Sequence, residues 1–139
     1  MTLREYRPDD FPQVEQLWKE TGVFRPERGD NSETILRCNG QGGTFLILED
    51  ETTQRIIGTS WLSWDGRRIH MQYFAVSPSM QGRGYGRLLA EESMSFARSK
   101  KAPVKLEVHR NNIQAIRLYK SMGFKLLEGY EVYLVHDKA

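Results

Sequence analysis

Hydrophobic positions follow two rhythms along this chain. An alternating or continuous apolar rhythm predicts strands at Thr2 to Arg7, Thr44 to Glu49, Ile56 to Trp64 and Arg68 to Val76. A three-four spacing predicts helices. Phe11, Val14, Leu17 and Trp18 recur between Phe11 and Thr21, after a break at Pro8-Asp9-Asp10 and before a terminator at Gly22. Ser32 opens a shorter helix ending near Gly40. From Arg87 to Ser99 a third helix carries Leu88, Leu89, Met94, Phe96 and Ala97 inward, with Glu91, Glu92 and Arg98 outward. Val104 to His109 reads as a strand and Asn112 to Met122 as a helix closed by Gly123. Phe124 to Leu127 and Tyr130 to Val135 read as a last hairpin around Glu128-Gly129.

The connections set the topology. Asp50 to Gln54 is a short polar turn and Asp65-Gly66 a tight hairpin signal, so the strands they join are antiparallel neighbours. A strand, a helix and a strand in succession from Arg68 to His109 form a crossover, which makes the two strands parallel. The predicted class is α+β: one domain over residues 1–139, with a mixed, mostly antiparallel sheet and helices on both faces.

Composition narrows the function. The 139 residues can bury a core of their own, with 39% hydrophobic and 27% charged positions. No apolar run approaches the roughly 18 residues of a membrane span, and Met1 to Tyr6 holds no apolar signal core, so a cytoplasmic protein without a membrane role is expected. Cys38 alone excludes an internal disulfide and supplies no metal cluster. A net charge of +2 with interspersed signs gives no reason to expect nucleic-acid binding.

The chemistry concentrates at Gln81-Gly82-Arg83-Gly84-Tyr85-Gly86. This turn follows the apolar strand ending in Phe74-Ala75-Val76 and opens the third helix. The first amides of a helix lack internal partners, and its dipole adds partial positive charge there. Glycines let that backbone approach a phosphate closely, and Arg83 and Arg87 add cations. Many strand–helix turns use glycine for its dihedrals alone, so this stretch by itself does not decide between the two readings.

A second stretch, Asn112-x-x-Ala115-x-x-Leu118-Tyr119-x-x-x-Gly123-Phe124, changes that. Together with Gln81, Gly84 and Gly86 it resembles the GNAT family, the acetyl-coenzyme A-dependent N-acetyltransferases. The resemblance covers nearly the whole chain. It implies a sheet whose central parallel pair splays at a bulge to admit the pantetheine arm of acetyl-coenzyme A. It implies that the amides of Gln81, Gly82, Arg83, Gly84, Tyr85 and Gly86, with Arg87, hold the pyrophosphate, and that the backbone of Phe74, Ala75 and Val76 pairs with the pantetheine. Asn112 would cap its helix and reach the same arm. Tyr119, a core residue on spacing alone, would place its hydroxyl at the thioester sulfur and protonate the leaving thiolate.

Two residues compete as general base. Glu107 points away from Leu106 and Val108 by strand alternation and precedes Tyr119 by twelve residues, the spacing of the ribosomal-protein N-terminal acetyltransferase branch. His70 lies four residues before Phe74, where the histone-acetyltransferase branch carries a catalytic glutamate. Each is also readable as a solvated side chain, and ordered water is a third choice. Gly22 to Asn31 and Glu128 to Tyr133 would wall the acceptor site, with Glu128, Glu131 and Asp65 available to attract an amine. The final hairpin lacks the paired tyrosines of the N-terminal acetyltransferase branch, so no acceptor carries over. A monomer and a homodimer both remain open. Other readings are a non-catalytic acetyl-coenzyme A sensor and a dinucleotide-binding domain. Against the latter, the loop is Gly-x-Gly-x-Gly, and the chain starts with antiparallel strands.

Overall fold

The structure, a computed structural model, describes residues 1–135. Its elements are β1 (Thr2–Glu5), α1 (Phe11–Thr21), α2 (Ser32–Gly40), β2 (Thr44–Asp50), β3 (Arg55–Trp64), β4 (Ile69–Val76), α3 (Tyr85–Ser99), β5 (Val104–Lys105) and α4 (Ile113–Ser121). The five strands form one sheet in the order β1-β2-β3-β4-β5. All neighbours are antiparallel except β4 and β5, which are parallel. Among the described residues no helix is long and apolar enough to cross a membrane.

Both faces of the sheet are covered, which is why β2 reads as an unbroken apolar run. Phe45 and Ile47 turn to one face and join Val14, Leu17 and Trp18 of α1 and Ile35 of α2. Leu46 turns to the other and joins Leu89 and Ala97 of α3 and Tyr119 of α4. Polar links between layers are paired. Ser60 of β3 and Ser93 of α3 share a buried hydrogen bond of 2.8 Å. The Arg4 guanidinium grips both oxygens of buried Asp10 at 2.8 Å and reaches Glu49. Burial alone would push the Asp10 carboxyl up; the hydrogen bonds from Arg4 and the Arg7 amide outweigh it and hold the group below its ordinary value.

Several sequence expectations are corrected. β1 stops at Glu5, not Arg7, before the turn at Pro8. Helix α3 starts at Tyr85 rather than Arg87, and its buried stripe is Leu89, Ala90, Ser93 and Ala97. Leu88 lies one position off that stripe and is exposed. The strand expected over Val104 to His109 forms a ladder only at Val104–Lys105. The last hairpin does not form. The turn at Glu128-Gly129 is present, but Phe124 to Leu127 and Tyr130 to Val135 adopt no strand. Among the described residues, no backbone hydrogen bond joins residues 124–127 to residues 130–135, so their strand-like composition makes no ladder.

Candidate active site

A bulge in β4 shapes the centre of the sheet. Ala75 opposes Thr59 and Gln72 opposes Trp61, so Tyr73 and Phe74 together face Ser60 alone. Tyr73 has a φ of +48°, a left-handed conformation that a side chain of this size rarely adopts. Such strain costs about 1–3 kcal/mol and persists only where surrounding structure enforces it. Here Thr59 Oγ1 donates to the Tyr73 carbonyl at 2.8 Å and accepts from Trp18 Nε1 at 3.1 Å. The Tyr73 ring stacks on Trp18 with centroids 4.0 Å apart, and its hydroxyl donates to Asp30 at 2.8 Å. Burial, with Asp30 adding to it, pushes this phenol up to about 12.

Upstream of the bulge, β4 pairs with β5 only through Ile69 with Val104 and His70 with Lys105. Beyond that point the two chains part. Ser77 N–H donates to Ile57 on β3 at 2.7 Å. By strand alternation Ala75 also spends its backbone on β3, while Phe74 and Val76 turn theirs to the gap. The Val76 carbonyl is taken by Gln81 Nε2 at 2.9 Å. Of the three residues expected to present backbone to the gap, Phe74 therefore does so fully, Val76 through its N–H, and Ala75 not at all.

The two rival bases meet at the mouth of this gap. His70 Nε2 and Glu107 Oε2 are 2.8 Å apart, each side chain about two-fifths exposed. Ile69, Met71 and Leu106 pack into the core on the α3/α4 face. By alternation His70 and Glu107 project from the opposite face, the side of α1 and α2.

Tyr119 stands on the α3/α4 face. It is buried, edge-on to Phe74 with ring centroids 5.8 Å apart and beside Phe124 at 5.7 Å. Burial alone pushes its phenol up to about 12, so it keeps its proton throughout the neutral range. Asn112 caps the same helix, its side-chain oxygen accepting from Ala115 N–H at 3.3 Å.

The glycine turn has the geometry of an open cradle. Gly82 and Gly84 have φ of +77° and +86°, and a Cβ at either would meet nothing within 4 Å. Gly84 is the N-cap of α3, so the free amides of that helix face this space. Gly86 is the second residue of α3, where a Cβ would approach Leu118 and Val76. Gln81, Arg83 and Tyr85 complete the turn, Tyr85 half-buried against the α3/α4 core. Arg87, expected at the turn, instead donates to Ser121 Oγ of α4 at 2.7 Å. Arg83 is the exposed cation left on the loop.

Of the acidic candidates for drawing in an amine, Asp65 is spent on the hairpin, accepting from the Arg67 and Arg68 amides. Glu128 and Glu131 are exposed on the final segment. Sequence reasoning missed Tyr73 and Asp30 as a pair. Asp30 falls in the loop expected to wall the acceptor, but nothing local marks a tyrosine for a left-handed bulge.

Residues 3–124 match the family model described as the acetyltransferase (GNAT) family. Similar solved structures include an acetyltransferase from Streptococcus agalactiae 2603, 22% identical, covering 99% of this chain and 92% of its own, with a TM-score of 0.79. An acetyltransferase from Trypanosoma brucei is 21% identical over 96% of this chain and 99% of its own, TM-score 0.73. The ribosomal-protein-S18-alanine N-acetyltransferase from Escherichia coli is 22% identical over 89% of this chain and 77% of its own, TM-score 0.74.

Proposed function

Because the chain belongs to the GNAT acetyltransferase family, we propose that it moves an acetyl group from acetyl-coenzyme A to a primary amine by direct attack through a tetrahedral intermediate. The observation that carries this reading is the placement of polar groups on the two faces of the sheet around the β4/β5 gap. His70 and Glu107 lie on one face and Tyr119 on the other. A thioester threaded between the strands meets a proton acceptor from one side and a proton donor from the other.

Each part of the site has a defined task in this scheme. The open amides at Gly82 to Gly84, with Arg83, suit a pyrophosphate. The free Phe74 edge and the Val76 N–H suit the pantetheine amides, as an added strand would pair. Glu107 takes the ammonium proton through its uncommitted oxygen, while His70 Nε2 holds the other oxygen in place. The amine then attacks the acetyl carbonyl, the carbon–sulfur bond breaks, and the Tyr119 hydroxyl donates to the departing thiolate; the second proton leaving the nitrogen restores the phenol, and the proton on Glu107 passes to solvent. The test is steady-state release of free coenzyme A over a panel of amines, comparing the wild type with Glu107→Gln. Acetyl-coenzyme A binding without release on any amine would favour a sensor role instead.

A further inference from the structure

The connection between α1 and α2, residues 22–31, carries two carboxylates. Glu27 is exposed, while Asp30 is half-buried and accepts the Tyr73 hydroxyl on Oδ2 at 2.8 Å. Local sequence fixes where Asp30 stands. Gly29 takes a φ of +72° and ends the short turn at Pro26–Arg28. Asn31 caps α2, its side-chain oxygen accepting from Thr34 N–H at 3.0 Å. Ser32 is tied to the Tyr6 hydroxyl at 2.6 Å. Asp30 thus sits between two pinned points and reaches β4 from 43 positions away in sequence.

Its partner is the strained residue of the β4 bulge, with a φ of +48°. Thr59 holds the Tyr73 carbonyl, and Trp18 stacks on the ring. Asp30 holds the far end of the side chain, the hydroxyl. Tyr73 and Phe74 share the bulge, so the φ of Tyr73 sets the direction in which the Phe74 backbone meets the gap. A hydrogen bond to a charged acceptor and a left-handed φ at a bulky residue are of the same energetic order. The bond to Asp30 is therefore strong enough to decide whether the bulge keeps this shape.

We propose that Asp30 is a positioning residue for acetyl transfer: through the Tyr73 hydroxyl it holds the bulge that aims the Phe74 backbone at the thioester. The loop expected to wall the acceptor and the gap expected to take the cofactor are then set as one unit. This rests on the reaction proposed above. Asp30 acts through Tyr73 and exchanges no proton with the substrate.

The test pairs turnover with NMR on the full-length protein. Asp30→Ala and Tyr73→Phe should each lower kcat about 10–100-fold, the cost of a misplacement on the scale of 1 Å. Acetyl-coenzyme A affinity by calorimetry should stay within about threefold of wild type, because the glycine turn is untouched. The double variant should be no slower than either single one, since both remove the same bond. Asp30→Asn keeps an oxygen that accepts from the hydroxyl and should recover most of the rate. Independently of any reaction, the backbone signals of Tyr73 and Phe74 should shift and broaden in Asp30→Ala and return close to their wild-type positions in Asp30→Asn. Unmoved signals in Asp30→Ala overturn the proposal. So do a kcat within about threefold of wild type in the single variants, a loss confined to affinity, losses that multiply in the double variant, or an Asp30→Asn protein as slow as Asp30→Ala. If the wild type releases no coenzyme A on any amine, the acetyl-transfer reading fails, and the NMR comparison alone decides whether Asp30 holds the bulge.

Discussion

His70 Nε2 rests 2.8 Å from Glu107 Oε2, at the point where β4 and β5 stop pairing. The two side chains are therefore one unit, and their variants should differ in kind. Glu107→Gln removes the proton acceptor and keeps the shape. Turnover should fall on the order of 10²–10⁴-fold. His70→Gln keeps a donor toward the carboxylate and should cost about tenfold or less. If the histidine variant shows the larger loss, the imidazole is the base and Glu107 its holder.

Tyr119→Phe separates acid catalysis from packing, because the ring against Phe74 and Phe124 stays. Turnover should drop on the order of 10²–10⁴-fold while acetyl-coenzyme A affinity changes little. Turnover within about threefold of wild type, under half the 1.4 kcal/mol of a tenfold change, would make Tyr119 a core residue only.

The same variant tests alkaline stability. Tyr119 is pushed from 10.0 up to about 12 in the folded state, and Tyr73 likewise. A raised value favours the folded form fully below pH 10 and progressively less as pH climbs to 12. Melting temperatures across that window should fall for the wild type. They should fall less for Tyr119→Phe, which has one fewer buried phenol to ionise. Parallel curves for the two proteins would contradict the shift at Tyr119.

Gly84→Asp places a carboxylate and a strained backbone at the N-cap of α3. Titration calorimetry should show acetyl-coenzyme A binding lost in a protein that still melts cooperatively. Unchanged affinity would remove the glycine turn from the cofactor site.

Asp10→Asn should destabilise the fold at pH 7 by about 1.5–3 kcal/mol, the scale of a hydrogen bond to a charged group, since Arg4 loses its bidentate partner. Because the Asp10 carboxyl is held low in the folded state, this contribution is complete above its unfolded value of 3.8. It disappears as pH falls below that through the folded value. Urea titrations at neutral and acid pH should show the two proteins converging; a constant gap would point elsewhere.

Helix α1 was legible to both ends, Phe11 and Thr21, because a proline break and a terminal glycine bracket its apolar stripe. The Asp65-Gly66 hairpin was legible for the same kind of local reason. The pairing of His70 with Glu107 was not. They are 37 positions apart, and only the parallel register of Ile69 with Val104 brings them together. Sequence spacing thus offered them as alternatives where the fold makes them partners. The bulge at Tyr73 is set by Trp18 and Thr59, elements remote in sequence, and leaves no local trace. The final hairpin failed for the converse reason. Tyr130 to Val135 has the composition of a strand, but a strand exists only with a neighbour to hydrogen-bond.

The stacking of Trp18 on Tyr73, with Trp61 flanking the same ring at 5.9 Å, gives the protein an optical reporter at the strained turn of β4. Two of its three indoles sit in that one sealed cluster, while Trp64 lies apart beneath Lys100. Excited near 295 nm, the buried pair should emit toward the blue and resist aqueous quenchers such as iodide, leaving Trp64 as the quenchable fraction. Any movement of the β4 backbone would then change the blue component first, with no label attached.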